Sequence, residues 1–230
     1  MKLNKSLTVV LFLFNMASIV AQSFNLEDVD AQLNKIYDDD QQIRQKYREA
    51  LRNNLPTQFI VSDMHAIDSV NQKYVSMLLD EYEWPDNLSE KANKAIFYVI
   101  DHASQQFAEK YFYLLKEKSE QGILEMANVA TLEDRILMYS SKMQKYGTQS
   151  IGLLLTYTNS SNDTIKKENV FYIWPIEDNE KVDELRNAVG LPSMNQYLQE
   201  LEDGVKSKVI WDRNMTIDDL KEKYPWHFSK

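Results

Sequence analysis

Cysteine is absent from this chain of 230 residues, and histidine is scarce, with 3 residues. The lack of cysteine excludes disulfide bonds, thiolate metal sites and cysteine nucleophiles. Glycine is also scarce, with 5 residues, and no phosphate-binding loop, dinucleotide-binding glycine pattern or Gly-x-Ser-x-Gly elbow is present. The histidines, His65, His102 and His227, are scattered and form no His-Glu-x-x-His motif. We therefore expect neither a metal site nor a cofactor.

Basic residues are few relative to acidic ones. Lysine and arginine total 26 against 35 aspartate and glutamate residues, which gives a formal net charge of −9. Nucleic-acid phosphates and anionic lipid headgroups both require a basic surface. The charge balance therefore argues against nucleic-acid binding and against electrostatic attachment to a membrane.

The amino terminus has the pattern of an export signal. Lys2 and Lys5 form a basic segment, and a mostly apolar stretch follows it. The alternative is a membrane anchor, but the apolar stretch is short and is interrupted by polar residues. We expect residues 1–21 to be a cleaved signal peptide and residues 22–230 to be a single mainly helical domain. This predicts a periplasmic or secreted protein with no membrane span after cleavage.

Hydrophobic periodicity predicts the fold class. Residues 151–157 and 170–174 are strand-like and flank a turn-forming cluster at residues 159–163, which predicts a β-hairpin. Most other segments have apolar residues at helical spacing. These helical segments begin near Leu26, Asp63, Ala92, Phe107, Leu132, Asn179, Ser193 and Thr216. The predicted fold is mainly α (α+β), a multi-helix domain with one small antiparallel β-hairpin.

The segment from Thr131 to Gln149 contains the most distinctive polar residues. Thr131 followed by Asp134 is typical of a helix start, and Gly147 is typical of a helix end. An apolar strand-like run follows directly. The segment therefore predicts a helix-to-strand corner where four polar side chains converge: Gln144, Tyr146, Thr148 and Gln149.

Two further positions combine polar chemistry with an apolar helical face. Asp40 lies on the inner face of the first predicted helix, with Arg44 one turn later. They form either an ordinary Asp–Arg pair or a carboxylate directed into a cavity. His102 lies on an apolar face at a helix end, where a hydrogen-bonded core residue and a catalytic base are both possible.

Short motifs spread through most of the chain resemble an uncharacterised bacterial family, a domain of unknown function. Two positions depart from the family's pattern: Asp101 stands where the family tends to have Gln, and Ser104 where Asp is usual. The resemblance implies a shared architecture and a shared site, but no reaction. The motifs that carry it are Asp40-Gln41-Gln42-Ile43-Arg44, Asp68-x-x-Asn71, Trp84-Pro85, His102-Ala103, Asp134-Arg135, Gln144-x-Tyr146-Gly147-Thr148-Gln149, Pro175-Ile176-Glu177-Asp178 and Arg186 with Gly190-Leu191.

Three hypotheses for the polar residues follow. The preferred one is a non-enzymatic domain that binds a small polar ligand or an envelope protein through Gln144, Tyr146, Gln149, Asp40 and Arg44. The second is a hydrolase-type enzyme in which His102 is the general base, Asp134 orients it or shares its proton, and Arg135 holds an anionic group. The third is a purely structural polar network. Convergence of these side chains on one open cleft would favour the first two.

Overall fold

The computed structural model describes residues 25–159 and 164–225. The predicted signal peptide and most of the predicted hairpin turn lie outside these residues. Within them, no helix is long and apolar enough to cross a membrane. The described residues form eight helices: α1 (Leu26–Arg52), α2 (Gln58–Tyr82), α3 (Glu90–Asp101), α4 (Gln105–Glu120), α5 (Met126–Tyr139), α6 (Val182–Ala188), α7 (Met194–Val205) and α8 (Ile217–Lys223).

Helices α1 to α5 share the largest hydrophobic core. Helix α1 begins at Asn25, whose side chain accepts a hydrogen bond from the Glu27 N–H. Apolar residues at helical spacing, such as Leu33 and Ile36, are buried on the side of α1 that faces α2 and α3. Ile96 of α3 lies in the same core. These contacts bring the inner faces of α1 and α3 together.

The sheet has three strands: β1 (Ser150–Asn159), β2 (Thr164–Ile173) and β3 (Lys208–Ile210). Strands β1 and β2 pair antiparallel, which confirms the predicted hairpin. Strand β3 pairs parallel to β2, and this short third strand was not predicted. A parallel pair needs a crossover connection, which α6 and α7 supply. The prediction of a mainly α (α+β) fold is confirmed, with a mixed sheet of three strands.

The prediction for the segment after Thr131 is wrong in its local geometry. Thr131 lies inside α5, and its hydroxyl donates to the Ala127 carbonyl instead of capping a helix start. Helix α5 ends at Ser140, well before Gly147. The intervening chain turns back on the helix, so the Asp134 side chain contacts the corner directly instead of lying three turns away from it.

Candidate functional site

The predicted site residues separate into two groups with different partners, and each group also contains residues that were not predicted. The first group, the charged chain, consists of Asp68, Arg44, Asp40, His102, Asp101 and Arg135. The second group, the Asp134 corner, consists of Asp134, Gln144, Tyr146, Gly147, Thr148 and Gln149. Among the described residues, no hydrogen bond or ion pair joins His102 to Asp134.

Asp134 is a buried carboxylate surrounded by main-chain donors. Its side chain is 0% exposed. It accepts hydrogen bonds from the N–H groups of Lys145 at 2.7 Å, Tyr146 at 3.1 Å and Thr148 at 3.0 Å, and from the Thr148 hydroxyl at 2.9 Å. Burial raises the pKa of Asp134, and the hydrogen bonds oppose this effect. These contacts use both carboxylate oxygens to hold the corner in place.

Gln144 connects the corner to the sheet. Its side chain is also 0% exposed, and its Nε2 donates to the Trp174 carbonyl at 2.6 Å. Its Oε1 accepts from the Gln149 N–H at 2.8 Å. Gln149 in turn donates from Nε2 to the carbonyl of Thr131 at 3.2 Å. Both glutamines thus satisfy main-chain groups where α5, the corner and the end of β2 meet.

Arg186 completes the second group, although the sequence reasoning assigned it no role in a site. It is 0% exposed, and its Nη1 donates to the Tyr146 carbonyl at 2.6 Å. Its guanidinium lies 4.8 Å from the centre of the Tyr197 ring, whose hydroxyl donates to the Thr148 carbonyl. Burial lowers the pKa of Arg186. The motif that contains Arg186 was the one signal that pointed to it.

Gly147 allows these groups to approach one another. Its φ is +70°, a conformation that strongly favours glycine. A Cβ atom at this position would lie 2.7 Å from Ile176 Cδ1 and 2.8 Å from Met194 Sδ. The corner is therefore closely packed on the side that faces Ile176 and Met194, which belong to a small buried apolar cluster. A ligand contact by Asp134 or Gln144 would require this packing to open.

The charged chain is arranged differently, because all of its side chains except that of Asp40 remain partly exposed. Asp40 lies at its centre and is 1% exposed. Asp40 Oδ1 is 3.1 Å from His102 Nδ1 and 3.0 Å from Arg44 Nη1. Arg44 also reaches from α1 to Asp68 on α2, with Nη2 at 3.0 Å from Oδ1. One buried carboxylate is therefore held between an imidazole and a guanidinium.

The other end of the charged chain joins α3 to α5. Arg135 Nη2 lies 2.5 Å from both the carbonyl oxygen and the carboxylate of Asp101. Asp101 Oδ2 is 3.7 Å from His102 Nε2. The His102 and Arg135 side chains are 22% and 28% exposed. Acidic and basic side chains thus alternate along the charged chain, and α1, α2, α3 and α5 contribute to it.

The geometry at His102 determines the chemistry that this group can perform. If Nδ1 carries the proton that is donated to Asp40, Nε2 is a hydrogen-bond acceptor. Among the described residues, Nε2 makes no hydrogen bond. The imidazole also stacks on the Tyr98 ring, with a centroid distance of 5.7 Å and an interplanar angle of 13°. A fixed and partly exposed imidazole can bind a donor group or accept a proton.

Asp101 and Asp68 were not predicted as site residues. Asp68 occurs in the Asp68-x-x-Asn71 motif, which was the signal that could have identified it. Asn71 lies one turn further along α2 and is buried, and its Nδ2 has no hydrogen-bond partner among the described residues. Asp101 binds Arg135. The position of Asp101 in the sequence did not by itself indicate its contact with Arg135.

A pocket of about 400 Å³ is lined in part by Tyr98, the residue whose ring stacks on His102. Phe97 and Leu124 also line this pocket, together with Glu90 and Glu125. Its volume falls in the range of small-molecule sites. Within residues 25–159 and 164–225, no group of three His, Cys, Asp or Glu side chains is arranged to hold a metal ion.

Comparison with known proteins gives one match. The model of a family of unknown function, DUF6624, matches residues 27–210. No curated protein and no solved structure matches the chain. The match covers both the charged chain and the Asp134 corner, and it confirms the resemblance to an uncharacterised family.

Proposed function

This chain belongs to DUF6624, a family of unknown function, and we propose that it is an exported domain that binds a small polar ligand at His102. The amino-terminal pattern of Lys2, Lys5 and an apolar stretch supports export. The partly exposed charged chain supports binding at His102. This proposal moves the ligand site away from Gln144, Tyr146 and Gln149.

The observation that carries the proposal is the contact between Asp40 and His102. A carboxylate that is 1% exposed fixes the imidazole through Nδ1 at 3.1 Å. Stacking on Tyr98 restricts the ring further. Fixing a hydrogen-bonding group before the ligand arrives lowers the entropic cost of binding. The partly exposed imidazole therefore presents a preorganised acceptor to solvent.

The charges around His102 indicate the class of ligand. Three carboxylates, on Asp40, Asp68 and Asp101, accompany two guanidinium groups, on Arg44 and Arg135. With a neutral imidazole the charged chain carries an excess of negative charge, which disfavours an anionic ligand. A hydroxyl or ammonium group matches both this charge and the acceptor at Nε2.

The test observes the His102 imidazole directly by NMR. The chain has 3 histidines, so the ring signals can be assigned with the variants His65→Gln and His227→Gln. We would titrate the purified protein with glycerol, ethanolamine and glucosamine, up to about 10 mM, a concentration that detects weak binding. We expect a saturable shift of the His102 signals with at least one compound.

The exposed His65 on α2 is the internal control, because it lies outside the charged chain. Its signals should remain unchanged in the same titration. The variant Asp40→Asn should weaken the His102 response, since the imidazole loses its orienting carboxylate. If none of the compounds shifts His102, or if His65 shifts equally, the proposed site is wrong.

A second candidate function is acid–base catalysis, and the same contact favours it. Buried carboxylates orient imidazoles in general-base pairs. In this structure the carboxylate at His102 is Asp40, whereas Asp134 binds the corner. Chemical conversion of a bound compound, lost in His102→Gln, would support an enzyme. Binding without conversion would support the first function.

A further inference from the structure

A line of outward-facing residues on α2 forms a regular seam that the core does not use. Their spacing alternates between four and three residues, which is the a/d pattern of a coiled coil. The exposed apolar members are Phe59 at 76%, Val70 at 69% and Met77 at 60%. The complete set, the α2 seam, consists of Phe59, Asp63, Ala66, Val70, Lys73 and Met77, all of which are exposed.

The opposite face of α2 already packs on the protein. Val75 and Leu79 are buried in the large core, and Asp68 faces inward to Arg44. A helix of 25 residues, about 37 Å long, therefore has one face in the core and a second apolar line toward solvent. Exposed apolar residues that share one face of a helix are typical of interaction surfaces.

The order of residues in the α2 seam is self-complementary when two copies run antiparallel. With a two-fold axis near residue 68, Phe59 lies beside Met77 of the second copy. Asp63 lies beside Lys73, and Ala66 lies beside Val70. In an antiparallel pair of helices each a position shares a layer with a d position, so all six layers match.

The charged layers also select the direction of pairing. In a parallel pair in register, Asp63 would face a second Asp63 and Lys73 a second Lys73. Both layers would then contain like charges, which is unfavourable. The antiparallel pair instead contains two Asp–Lys contacts. Neither side chain has an ion-pair or hydrogen-bond partner among the described residues, so both are available for these contacts.

From this complementarity we propose that the protein forms a symmetric homodimer through antiparallel packing of α2 against α2 of a second copy. The closed two-fold arrangement uses the same surface on both copies. The α2 seam faces away from Asp68 and the rest of the charged chain. The dimer therefore does not depend on the ligand proposal, and either one can fail alone.

Sedimentation equilibrium of the purified protein from about 1 to 500 μM tests the proposal. We expect a reversible monomer–dimer equilibrium in the wild type. Lys73→Asp brings two carboxylates together in both charged layers and should raise the dissociation constant by about tenfold or more. Asp63→Lys should do the same. The double variant Asp63→Lys/Lys73→Asp restores opposite charges and should recover an affinity within about threefold of the wild type.

Lys46→Asp is the matched control, because Lys46 is exposed on α1 and the charge change is the same. The monomer–dimer dissociation constant of this variant should equal that of the wild type. A protein that stays monomeric throughout the concentration range would overturn the proposal. A dimer that tolerates Lys73→Asp, or that Lys46→Asp weakens equally, would also overturn it.

The direction of pairing can be measured separately. Because the chain contains 0 cysteines, Gln58→Cys provides a single site for a spin label at the start of α2. Antiparallel packing about residue 68 separates the two labels by about 30 Å along the helix axes. Parallel packing would place both labels in one layer at a much shorter distance, and a distance of that kind would contradict the proposed arrangement.

Discussion

Asp134 and Arg186 are both fully buried and are joined through the main chain of one residue, Tyr146. The Tyr146 N–H donates to Asp134 at 3.1 Å, and the Tyr146 carbonyl accepts from Arg186 Nη1 at 2.6 Å. The two opposite charges therefore compensate each other without direct contact. Since Asp134 lies on α5 and Arg186 on α6, this link also joins the helical part of the fold to the segment after the hairpin.

We predict that Asp134→Asn destabilises the protein strongly. An amide keeps one acceptor oxygen but directs its NH2 group at main-chain N–H donors, and Arg186 loses one of the carboxylates that compensate its charge. The expected loss is about 3 to 5 kcal/mol of unfolding free energy, or a fall of roughly 6 °C or more in Tm. Calorimetry of the purified variant provides the measurement.

Glu133→Gln is the control for this prediction. Glu133 is adjacent to Asp134 but forms a partly exposed ion pair with Lys145, so the expected loss is below about 1 kcal/mol. If Asp134→Asn melts as close to the wild type as the control does, the Asp134 corner does not stabilise the fold in the way described.

We predict that Gly147→Ala is more destabilising than Gly122→Ala. Both glycines have positive φ, +70° and +73°, so both variants incur the backbone strain of a side chain in this region, about 1 kcal/mol. Only Gly147 has atoms of Ile176 and Met194 within 3 Å of the added Cβ. The resulting overpacking should add about 1 to 3 kcal/mol.

Urea unfolding of the two variants measures this difference. Both variants lose unfolding free energy through the same backbone strain, so this loss cancels when they are compared. The remaining difference in unfolding free energy measures packing against Ile176 and Met194. Equal destabilisation of the two variants would mean that these neighbours move aside at no cost. Because the prediction concerns a difference, it does not require an absolute value for the strain.

We predict that Tyr146 weakens the fold at high pH. Burial, followed by the charges of Glu133 and Asp134, raises the pKa of Tyr146 from 10.0 to about 12. A raised pKa in the folded state favours the protonated form. The stabilisation that protonated Tyr146 contributes to the fold is therefore complete below pH 10, and it is lost as the pH rises toward 12. The two-unit shift corresponds to about 2.7 kcal/mol, which solvent screening of this half-buried group reduces to about 1 kcal/mol.

The measurement is the difference in unfolding free energy between the wild type and Tyr146→Phe at pH 10 and at pH 12. The variant does not titrate at this position, so the wild type should lose about 1 kcal/mol more than the variant over this interval. Tyr113→Phe, at a tyrosine that is 62% exposed, is the control. A constant difference between wild type and Tyr146→Phe would show that ionisation of Tyr146 does not affect folding.

We predict that Asp40→Asn and His102→Gln have different effects on stability. The first leaves Arg44 with a single carboxylate partner and removes a buried acceptor, and we expect a loss of about 2 to 3 kcal/mol. The second removes a partly exposed ring and should cost no more than about 1 kcal/mol. Chemical denaturation of both single variants and of the double variant gives the coupling energy between the residues, about 1 kcal/mol. Equal losses in the single variants would assign His102 a mainly structural role.

The sequence predicted the helices better than the contacts between them. Apolar spacing located α1 closely, because its inner face packs along its whole length. It could not place the start of α5, since Thr131 and Asp134 form a local pattern that matches a helix cap. In the structure Asp134 instead satisfies N–H groups 11 to 14 residues later. When a side chain has several possible partners, tertiary contacts decide which one it binds. A local sequence pattern does not show those contacts.

The same limit applies to the candidate site. His102 was identified from its position on an apolar face, but its partner Asp40 is 62 residues away along the chain. The sequence therefore suggested both residues separately and paired His102 with Asp134 instead. Asp101 was missed because no helical spacing or capping pattern in its own segment indicates a partner for its side chain. Only the packing of α1, α3 and α5 shows that it binds Arg135.

Because main-chain N–H groups bind Asp134, the Asp134 corner should tolerate some substitutions and reject others in a predictable way. Lys145 and Tyr146 contribute N–H groups to Asp134, and every amino acid except proline has that group. A saturation mutagenesis library selected for folding should therefore be depleted of proline at both positions while accepting many other residues at position 145. Position 147 should accept little besides glycine. Relatives of this chain can thus diverge at position 145 while they keep the same turn.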